Sequence, residues 1–302
     1  MMFLGKNMHV VYVSDGKAGH RSQALGLYQA MHKLVIHSRF EEIPLQQLPL
    51  LTILKGLFTH QVSQIKQPPD FILGVGSHTH FRVWLLGKIY PQAKTIILMK
   101  PSLPIHWFNY AVIPEHDGVA ASDRVIVTQG ALNPIVNEHR HDTNRILIAL
   151  GGDSKRHQWN QEKVLTSIQN IVRDYPDTHI ILTTSRRTPV NFISHLKTLP
   201  CAQQLQLFPV EETPQGWIFE QMQLAATVWV TEDSVSMIFE ALTAGCRVGV
   251  IAMDRLKSDR ITQMIDQLPF EQNIGVMRVL QNSAPLNEAS RVASQILDSS
   301  SF

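Results

Sequence analysis

The stretch that decides the fold is residues 229–250, WVTEDSVSMIFEALTAGCRVGV. An apolar run of β-forming residues ends at a polar cluster, a helical pattern follows, and Gly245 separates that pattern from a second β-type run. A strand, a helix and a strand in this order predict a βαβ unit with parallel strands. Glu240 lies within the otherwise apolar helix, where burial of a carboxylate without a partner would be costly.

The same alternation extends along the whole chain. Strands are predicted at 9–14, 35–40, 71–75, 95–99, 111–113, 125–128, 145–150, 179–184, 205–208, 227–231 and 247–252. Helical patterns include 21–32, 80–90, 161–173 and 216–225. This order predicts an α/β fold with mainly parallel sheets.

The two halves of the chain resemble each other coarsely. Each opens with an apolar strand, a glycine-containing loop and a helix, VYVSDGKAGHRSQ at 11–23 and ILIALGGDSKRHQ at 146–158. We therefore expect two Rossmann-like domains, 1–140 and 144–285, joined by the polar segment 137–144. The terminal segment 286–302 holds a final amphipathic helix, which either belongs to the second domain or crosses back to the first.

Composition bounds the class of protein. The 302 residues include 44% hydrophobic and 17% charged residues, with a net charge of +2, which is typical of a soluble globular protein and not of a nucleic-acid binder. Two cysteines are too few for a disulfide framework. We find no signal peptide and no apolar run long enough to span a membrane, so a cytoplasmic protein is expected. The apolar run 48–58 is interpreted as a core helix, with peripheral membrane contact as the alternative.

The first predicted strand ends in a loop that carries the candidate catalytic residues. This loop, DGKAGH, contains Asp15, Gly16, Gly19 and His20. Glycines permit a tight turn, and the helix start presents free N–H groups to an anion. Asp15 or His20 could accept a proton from a hydroxyl group. The plainer alternative is a histidine beside a structural turn.

Other loops of the first half carry weaker signals. Gly76 and Ser77 follow the strand 71–75 and form either a ligand loop or a plain tight turn. His78 and His80 are two residues apart and do not share a helix face, so no metal site is expected there. The PEHD segment at 114–117 is interpreted as a solvated turn, with a catalytic role as the alternative.

In the second half, the candidate residues suit a phosphate group. Gly151 and Gly152 follow the strand 145–150 and offer N–H donors. Ser185, Arg186 and Arg187 follow the strand 179–184, where hydroxyls and guanidinium groups would bind phosphate oxygens.

The opening stretch supplies the remaining candidates. Substrate contacts are predicted for the turn and helix start formed by Glu232, Asp233, Ser234, Val235 and Ser236. Asp233 or Ser234 is expected to cap the helix and to leave other N–H groups for a diphosphate. Glu240 is expected to accept hydrogen bonds from a ribose. The alternative is that Glu240 lies on the exposed stripe of the helix or pairs with Arg247.

Four segments together resemble a known family. The strings DGKAGHRSQ, PEHD, TSRRTP and VTEDSVSMIFEALTAG, spread over residues 15–245, are similar to the bacterial and plant family named for mitochondrial fission (the Elm type). The region around Glu240 also resembles the donor site of GT-B glycosyltransferases such as MurG, in which a glutamate five residues before a glycine binds the nucleotide ribose.

The resemblance implies two GT-B-like domains facing across a cleft, with the acceptor on the amino-terminal side and a nucleoside-diphosphate sugar on the carboxy-terminal side. The chain contains no D-x-D triplet, so we expect transfer without a metal ion or other cofactor. The acceptor is unknown, with a lipid-linked or envelope glycan as the expected class. The alternatives are a non-catalytic adaptor on the same scaffold, as plant members imply, and a nucleotide-sugar epimerase.

Overall fold

The computed structural model describes residues 7–274, 276–281 and 284–299. The chain divides into two compact units. One comprises the residues up to Pro134 together with those from Asn287 onward, and the other is Ile135–Leu286. Each unit is built on a largely parallel sheet with helices packed on it.

The first unit carries a parallel sheet in the order β2-β1-β3-β4-β5-β6. Its strands are β1 (Asn7–Ser14), β2 (His37–Pro44), β3 (Phe71–Val75), β4 (Lys94–Leu98), β5 (Tyr110–Pro114) and β6 (Val125–Thr128). The helices between them are α1 (Ala18–Leu34), α2 (Leu50–Thr59) and α3 (Ser77–Ile89).

Alternate residues of β1 define the two faces of this sheet. Val10 and Tyr12 lie in the apolar cluster that includes α1, whereas Val11 and Val13 lie in the cluster that includes α2 and α3. All four side chains are buried. A strand that is buried on both faces has a continuously apolar sequence, which is typical of the centre of a parallel sheet.

The second unit carries a sheet in the order β10-β9-β7-β11-β12-β15-β14 and a separate β8–β13 pair. Its strands are β7 (Asp142–Ala149), β8 (His157–Gln158), β9 (His179–Thr183), β10 (Leu205–Phe208), β11 (Ala225–Thr231), β12 (Arg247–Ile251), β13 (Asp254–Arg255), β14 (Phe270–Ile274) and β15 (Met277–Leu280). Its helices are α4 (Gln161–Asp174), α5 (Phe192–Leu196), α6 (Trp217–Leu224), α7 (Val235–Ala244) and α8 (Arg260–Asp266).

The predicted alternation of strands and helices is confirmed, with one addition at a sheet edge. The strands β14 and β15 pair with each other, and β15 pairs with β12, in antiparallel fashion. They lie next to each other along the chain, so a short connection can join them, whereas parallel neighbours require a crossover. The segment 270–280 alternates too weakly for this pair to be recognised in the sequence.

The last helix, α9 (Glu288–Ser299), packs on the first unit. Its buried residues Val292 and Ile296 lie in the same apolar cluster as Leu27 and Met31 of α1. The chain thus returns to the first unit after completing the second.

The apolar run 48–58 is not a core helix on all sides. In α2, Ile53 and Gly56 are buried, but 74% of Leu51 and 87% of Phe58 are exposed. One face of α2 packs against the unit and another remains uncovered, and apolar content alone does not distinguish these two arrangements. Within the described residues, no helix is long and apolar enough to cross a membrane.

Candidate functional site

The carboxyl ends of the parallel strands carry the candidate residues of both units. In the first sheet β1, β3, β4 and β5 are neighbours and run in the same direction. In the second sheet β9, β7 and β11 do the same. Loops that follow these strands emerge at one sheet edge, which is where ligands bind to open α/β sheets.

A histidine–carboxylate pair lies at the end of β1. The Nδ1 atom of His20 is 3.0 and 2.9 Å from the two carboxylate oxygens of Asp15. Burial by itself would raise the pKa of Asp15, but the backbone N–H of Lys17 and the imidazole of His20 together lower it. The Asp15 side chain is 4% exposed and that of His20 is 15% exposed. An ionised carboxylate at Nδ1 orients the ring and leaves Nε2 to accept a proton.

Gly76, which directly follows the neighbouring strand β3, contacts this pair. Its φ is +79°, and a Cβ at this position would lie 2.5 Å from Cε1 of His20. The glycine is therefore required both by its backbone conformation and by the close approach of the imidazole. Ser77 starts α3 immediately after it and is exposed.

The two glycines of the β1 loop differ in role. Gly16 has a φ of +79° and makes the turn, as expected. Gly19 lies instead in the first turn of α1, where a Cβ would meet no atom within 4 Å. The expectation that both glycines shape the turn is wrong for Gly19, because the helix begins earlier than the sequence pattern suggested.

The PEHD segment is not a solvated turn. Asp117 is 7% exposed, and its Oδ2 accepts a long hydrogen bond of 3.4 Å from the backbone N–H of Lys100. The Nζ of Lys100 donates to the carbonyl oxygen of Asp117 at 3.1 Å. These contacts tie the ends of β4 and β5 together.

His80, on α3, is buried away from solvent, and burial lowers its pKa to about 4.

In the second unit, three loops converge on Asp233. The N–H of Gly151 donates to Oγ1 of Thr231 at 2.7 Å, and the N–H of Gly152 donates to the Asp233 carboxylate at 3.0 Å. A Cβ on Gly151 would collide with that carboxylate, and a Cβ on Gly152 would collide with the carbonyl of Arg187. The glycines that the sequence assigned to substrate binding thus allow the loops after β7, β9 and β11 to touch.

The loop after β9 carries two arginines, of which one, Arg187, forms an ion pair within the unit. The Nη2 atom of Arg187 lies 2.7 Å from the Asp233 carboxylate, and Nη1 donates to the carbonyl oxygens of Gly152 and Asp153. The exposed Arg186 makes no hydrogen bond or ion pair with any described residue. Of the two predicted phosphate ligands, Arg186 is the one that remains available.

Two hydroxyl groups hold this loop against Gly151. Ser185 Oγ donates to the carbonyl oxygen of Gly151 at 2.9 Å, and Thr188 Oγ1 donates to the same oxygen at 2.5 Å. Ser185 is therefore a structural partner of the glycine loop. Thr188 and Thr231 are hydroxyl residues of the segments TSRRTP and VTEDSVSMIFEALTAG that the sequence did not single out as site residues.

The start of α7 is not capped as expected. Ser234 occupies the N-cap position, but its side chain makes no capping hydrogen bond and contacts Asp233 and Arg187 instead. The first turn begins with Val235 and the exposed Ser236. An uncapped helix start presents unpaired N–H groups and the positive end of the helix dipole.

Glu232 lies in a separate, buried ion cluster. It is 1% exposed, accepts a hydrogen bond from the backbone N–H of Met253 at 3.2 Å, and pairs with Arg255 and Arg278. The predicted substrate contact does not fit this placement, since both carboxylate oxygens are engaged by the protein. Glu232 and Asp233, which are adjacent in one turn, therefore belong to two different ion-pair networks.

The carboxylate of Glu240 has no ion-pair partner among the residues that the structure describes. It is partly buried in α7, and burial raises its pKa to about 7. No described residue donates a hydrogen bond to it. The alternative partner Arg247 lies 2.7 Å from Glu271 instead, and Glu240 is not on an exposed stripe. Both plain alternatives are thus ruled out for the described residues.

Among the described residues, no group of three or more His, Cys, Asp or Glu side chains could hold a metal ion. The first unit holds an oriented imidazole, and the second unit holds an exposed guanidinium, an open helix start and a desolvated carboxylate. The groups of the second unit can bind a phosphorylated, hydroxyl-bearing ligand, and the imidazole of the first unit can accept a proton.

Comparison with known proteins gives a family and a fold. The family described as Mitochondrial fission ELM1 matches residues 18–299. An uncharacterized protein of Rickettsia prowazekii (strain Madrid E) is 23% identical over 346 residues, covering 95% of this chain and 97% of the relative.

Solved structures share the fold at low identity. Acinetobacter baumannii MurG is 12% identical with a TM-score of 0.50, covering 86% of this chain and 82% of its own. The UDP-GlcNAc 2-epimerase of Methanocaldococcus jannaschii is 11% identical with a TM-score of 0.53, covering 97% and 100%. MnaA of S. aureus, solved with UDP, is 13% identical with a TM-score of 0.51, covering 96% and 88%. The predicted α/β fold with Rossmann-like domains of the GT-B kind is confirmed.

The close approach of Gly76 to His20 predicts opposite effects for two glycines. Gly76→Ala should lower the free energy of unfolding by roughly 1–3 kcal/mol, because the new Cβ must adopt a strained φ and displace the imidazole. Gly19→Ala should leave it unchanged or slightly higher, since this position is helical and open. Urea unfolding of the two variants checks this, and equal effects would contradict the assigned geometry.

The raised pKa of Glu240 predicts a pH-dependent stability. The folded-state pKa of about 7 exceeds the ordinary value of 4.5, so the folded protein binds this proton more tightly than the unfolded chain. The resulting stability is complete below about pH 4.5 and is lost as the pH rises through about 7. Glu240→Gln should therefore raise the free energy of unfolding at pH 8, by roughly 1–3 kcal/mol, and change it little at pH 4.5.

Glu271→Gln is the matched control for this measurement. Its carboxylate lies 2.7 Å from Arg247 on the surface, and removing an exposed pair lowers stability by at most about 1 kcal/mol. A loss of stability in Glu240→Gln at pH 8 would show that the carboxylate has a stabilising partner in the folded protein.

Proposed function

We propose that this chain, which belongs to the Mitochondrial fission ELM1 family, is a GT-B-type glycosyltransferase that acts on a nucleoside-diphosphate sugar without a bound metal ion. The observation that carries the proposal is Glu240, a desolvated carboxylate that no described residue pairs with, on the helix whose start is open to an anion. The acceptor, expected to be a lipid-linked or envelope glycan, and the cytoplasmic location stay predictions from the sequence.

The start of α7 and Arg186 are proposed to bind the diphosphate. Uncapped N–H groups at a helix start favour phosphate oxygens by hydrogen bonding and through the helix dipole. Arg186 adds a guanidinium that the described protein does not use. Asp233 would repel the ligand if it were unpaired, but Arg187 lies 2.7 Å from its carboxylate and offsets that charge.

Glu240 is proposed to bind the ribose. It lies four residues beyond Ser236, on the same side of α7 and about 6 Å further along the helix axis. A ribose attached to a diphosphate at the helix start would reach this position. Its hydroxyl groups would donate to the carboxylate, replace the lost water and favour the ionised form.

His20 is proposed to be the catalytic base of the first unit. Its Nε2 would take the proton of an acceptor hydroxyl, whose oxygen then attacks the anomeric carbon of the sugar. The bond from that carbon to the diphosphate oxygen breaks, and the leaving nucleoside diphosphate keeps the electron pair. Asp15 holds the imidazole from Nδ1 at 2.9 Å and stabilises the imidazolium that forms. Arg186 and the helix start would stabilise the charge that develops on the diphosphate.

Two other activities remain outcomes of the test. Epimerization of a nucleotide sugar would use the same donor loops, and the M. jannaschii epimerase shares the fold to a similar degree as MurG. A non-catalytic adaptor would retain the scaffold and show neither reaction. A shared fold does not decide between these activities.

The donor site predicts metal-independent binding of uridine diphosphate, the ligand of the S. aureus relative. Titration by calorimetry in EDTA should give the same affinity as titration in Mg²⁺. Arg186→Ala and Glu240→Gln should each weaken binding about tenfold to a hundredfold, since each removes a hydrogen bond to a charged group. A 2′-deoxy analogue should reduce the effect of Glu240→Gln.

Arg187→Ala is the control for the first substitution. It should lower the melting temperature, because the buried Asp233 carboxylate loses its counter-charge, whereas Arg186→Ala should not. Complete loss of binding in EDTA, or unchanged affinity in both Arg186→Ala and Glu240→Gln, would reject this donor site.

The catalytic assignment predicts a separate effect for His20. With a panel of nucleotide sugars, the protein should transfer or slowly hydrolyse one of them. His20→Ala should lower the turnover rate by about 10²–10⁴-fold while leaving the affinity for uridine diphosphate unchanged. Formation of an epimeric nucleotide sugar would favour the epimerase, and absence of any reaction with intact binding would favour the adaptor.

A further inference from the structure

The uncovered face of α2 forms an apolar surface on the first unit. We define the α2 surface as Leu50, Leu51, Leu54 and Phe58, which are 41%, 74%, 45% and 87% exposed. Scattered exposed apolar residues are normal on a protein, but several large ones on a single ten-residue helix are not.

Helical geometry shows that α2 is apolar on two separate faces. At about 100° per residue, Leu50, Leu54, Phe58 and Leu51 fall within an arc of about 100°. Ile53 and Gly56 lie on another side and are buried. A Cβ on Gly56 would lie 2.9 Å from Cδ1 of Ile89, so this side packs tightly on α3. One apolar face of α2 therefore packs on the core of the unit, whereas the α2 surface does not.

Aromatic residues extend the apolar character onto the neighbouring helix. On α3, Phe81 is 41% exposed, and its ring centroid lies 5.7 Å from that of Trp84. Trp84 stacks on Trp107, which is 37% exposed, with a centroid distance of 4.5 Å. Lys88 Nζ lies 5.9 Å from the ring centroid of Trp84. Partly exposed tryptophan beside lysine is typical of side chains at a lipid–water interface.

The segment of sequence that contains α2 and α3 is strongly cationic. Residues 45–109 contain a single acidic residue, Asp70, whose carboxylate accepts a hydrogen bond from the backbone of His9 at 2.7 Å. The same segment contains six cationic residues: Lys55, Lys66, Arg82, Lys88, Lys94 and Lys100. Lys55 borders the α2 surface directly. This segment has a net charge of +5, whereas the whole chain has +2.

We propose that the α2 surface docks on an anionic lipid bilayer. The apolar side chains would enter the interface of the bilayer, and Lys55 on α2 and Lys88 on α3 would contact anionic headgroups. A second copy of the chain is a poorer occupant, since a two-fold interface would place the same cations against each other. At ten residues α2 is about 15 Å long and cannot span the bilayer, so the docking is peripheral.

Vesicle sedimentation with the full chain tests the proposal without any nucleotide. The protein should bind vesicles of phosphatidylcholine mixed with phosphatidylglycerol more tightly than vesicles of phosphatidylcholine alone. The double variant Leu51→Gln, Phe58→Gln should weaken this binding at least about tenfold, because two apolar side chains no longer enter the lipid. Lys55→Gln with Lys88→Gln should weaken it about fivefold per lysine, and only on anionic vesicles.

The matched control is Val190→Gln with Leu256→Gln, which removes exposed apolar side chains from the second unit. It should bind vesicles as the unchanged protein does. All these side chains are exposed or at the surface, so equal melting temperatures exclude unfolding as the cause. No binding to anionic vesicles, equal loss in the control, or a dimer that Leu51→Gln, Phe58→Gln dissociates in light scattering would overturn the proposal.

Discussion

Burial of the central strands on both faces is the constraint on which the rest of the structure depends. Along β1 and β7 the carboxyl halves are apolar and buried, so helices must cover both faces of each sheet. Parallel strands then follow, because each crossover returns the chain to the same end of the sheet. Polar loops are thereby gathered at the carboxyl edge. The His20–Asp15 pair and the Asp233 loops both lie at such an edge.

Within the second unit, Glu232, Asp233 and Glu240 differ in the groups that neutralise their negative charge. Glu232 is enclosed by Arg255 and Arg278, and Asp233 is held by Arg187 and the N–H of Gly152. Glu240 has neither kind of partner among the described residues, and desolvation raises its pKa to about 7. Glu232 and Asp233 thus each have a counter-charge, whereas the desolvation cost of the Glu240 carboxylate is one that a hydroxyl-bearing ligand could remove.

In the first unit, exposed apolar side chains on α2 are likewise left without a partner among the described residues of their own unit. Ile53 packs against the unit, whereas Leu51 and Phe58 on the same helix are largely exposed. Exposed apolar area of this kind lowers solubility and is retained where something covers it. The desolvated carboxylate and the uncovered helix face are thus two places where the folded chain alone does not satisfy its own side chains.

The sequence by itself determined the alternation of strands and helices, the parallel sheets, the positions of Asp15, His20 and Arg186 after strand ends, and the position of Glu240 within a helix. These follow from local periodicity and from glycine-containing loops, which depend on residues close together in the chain. Only the tertiary structure decided that Arg187 is neutralised by Asp233, that Glu232 belongs to another cluster, and that one face of α2 stays uncovered. Each of these depends on which residues distant in sequence come within contact, and a charge or an apolar side chain in the sequence does not show whether a partner will reach it.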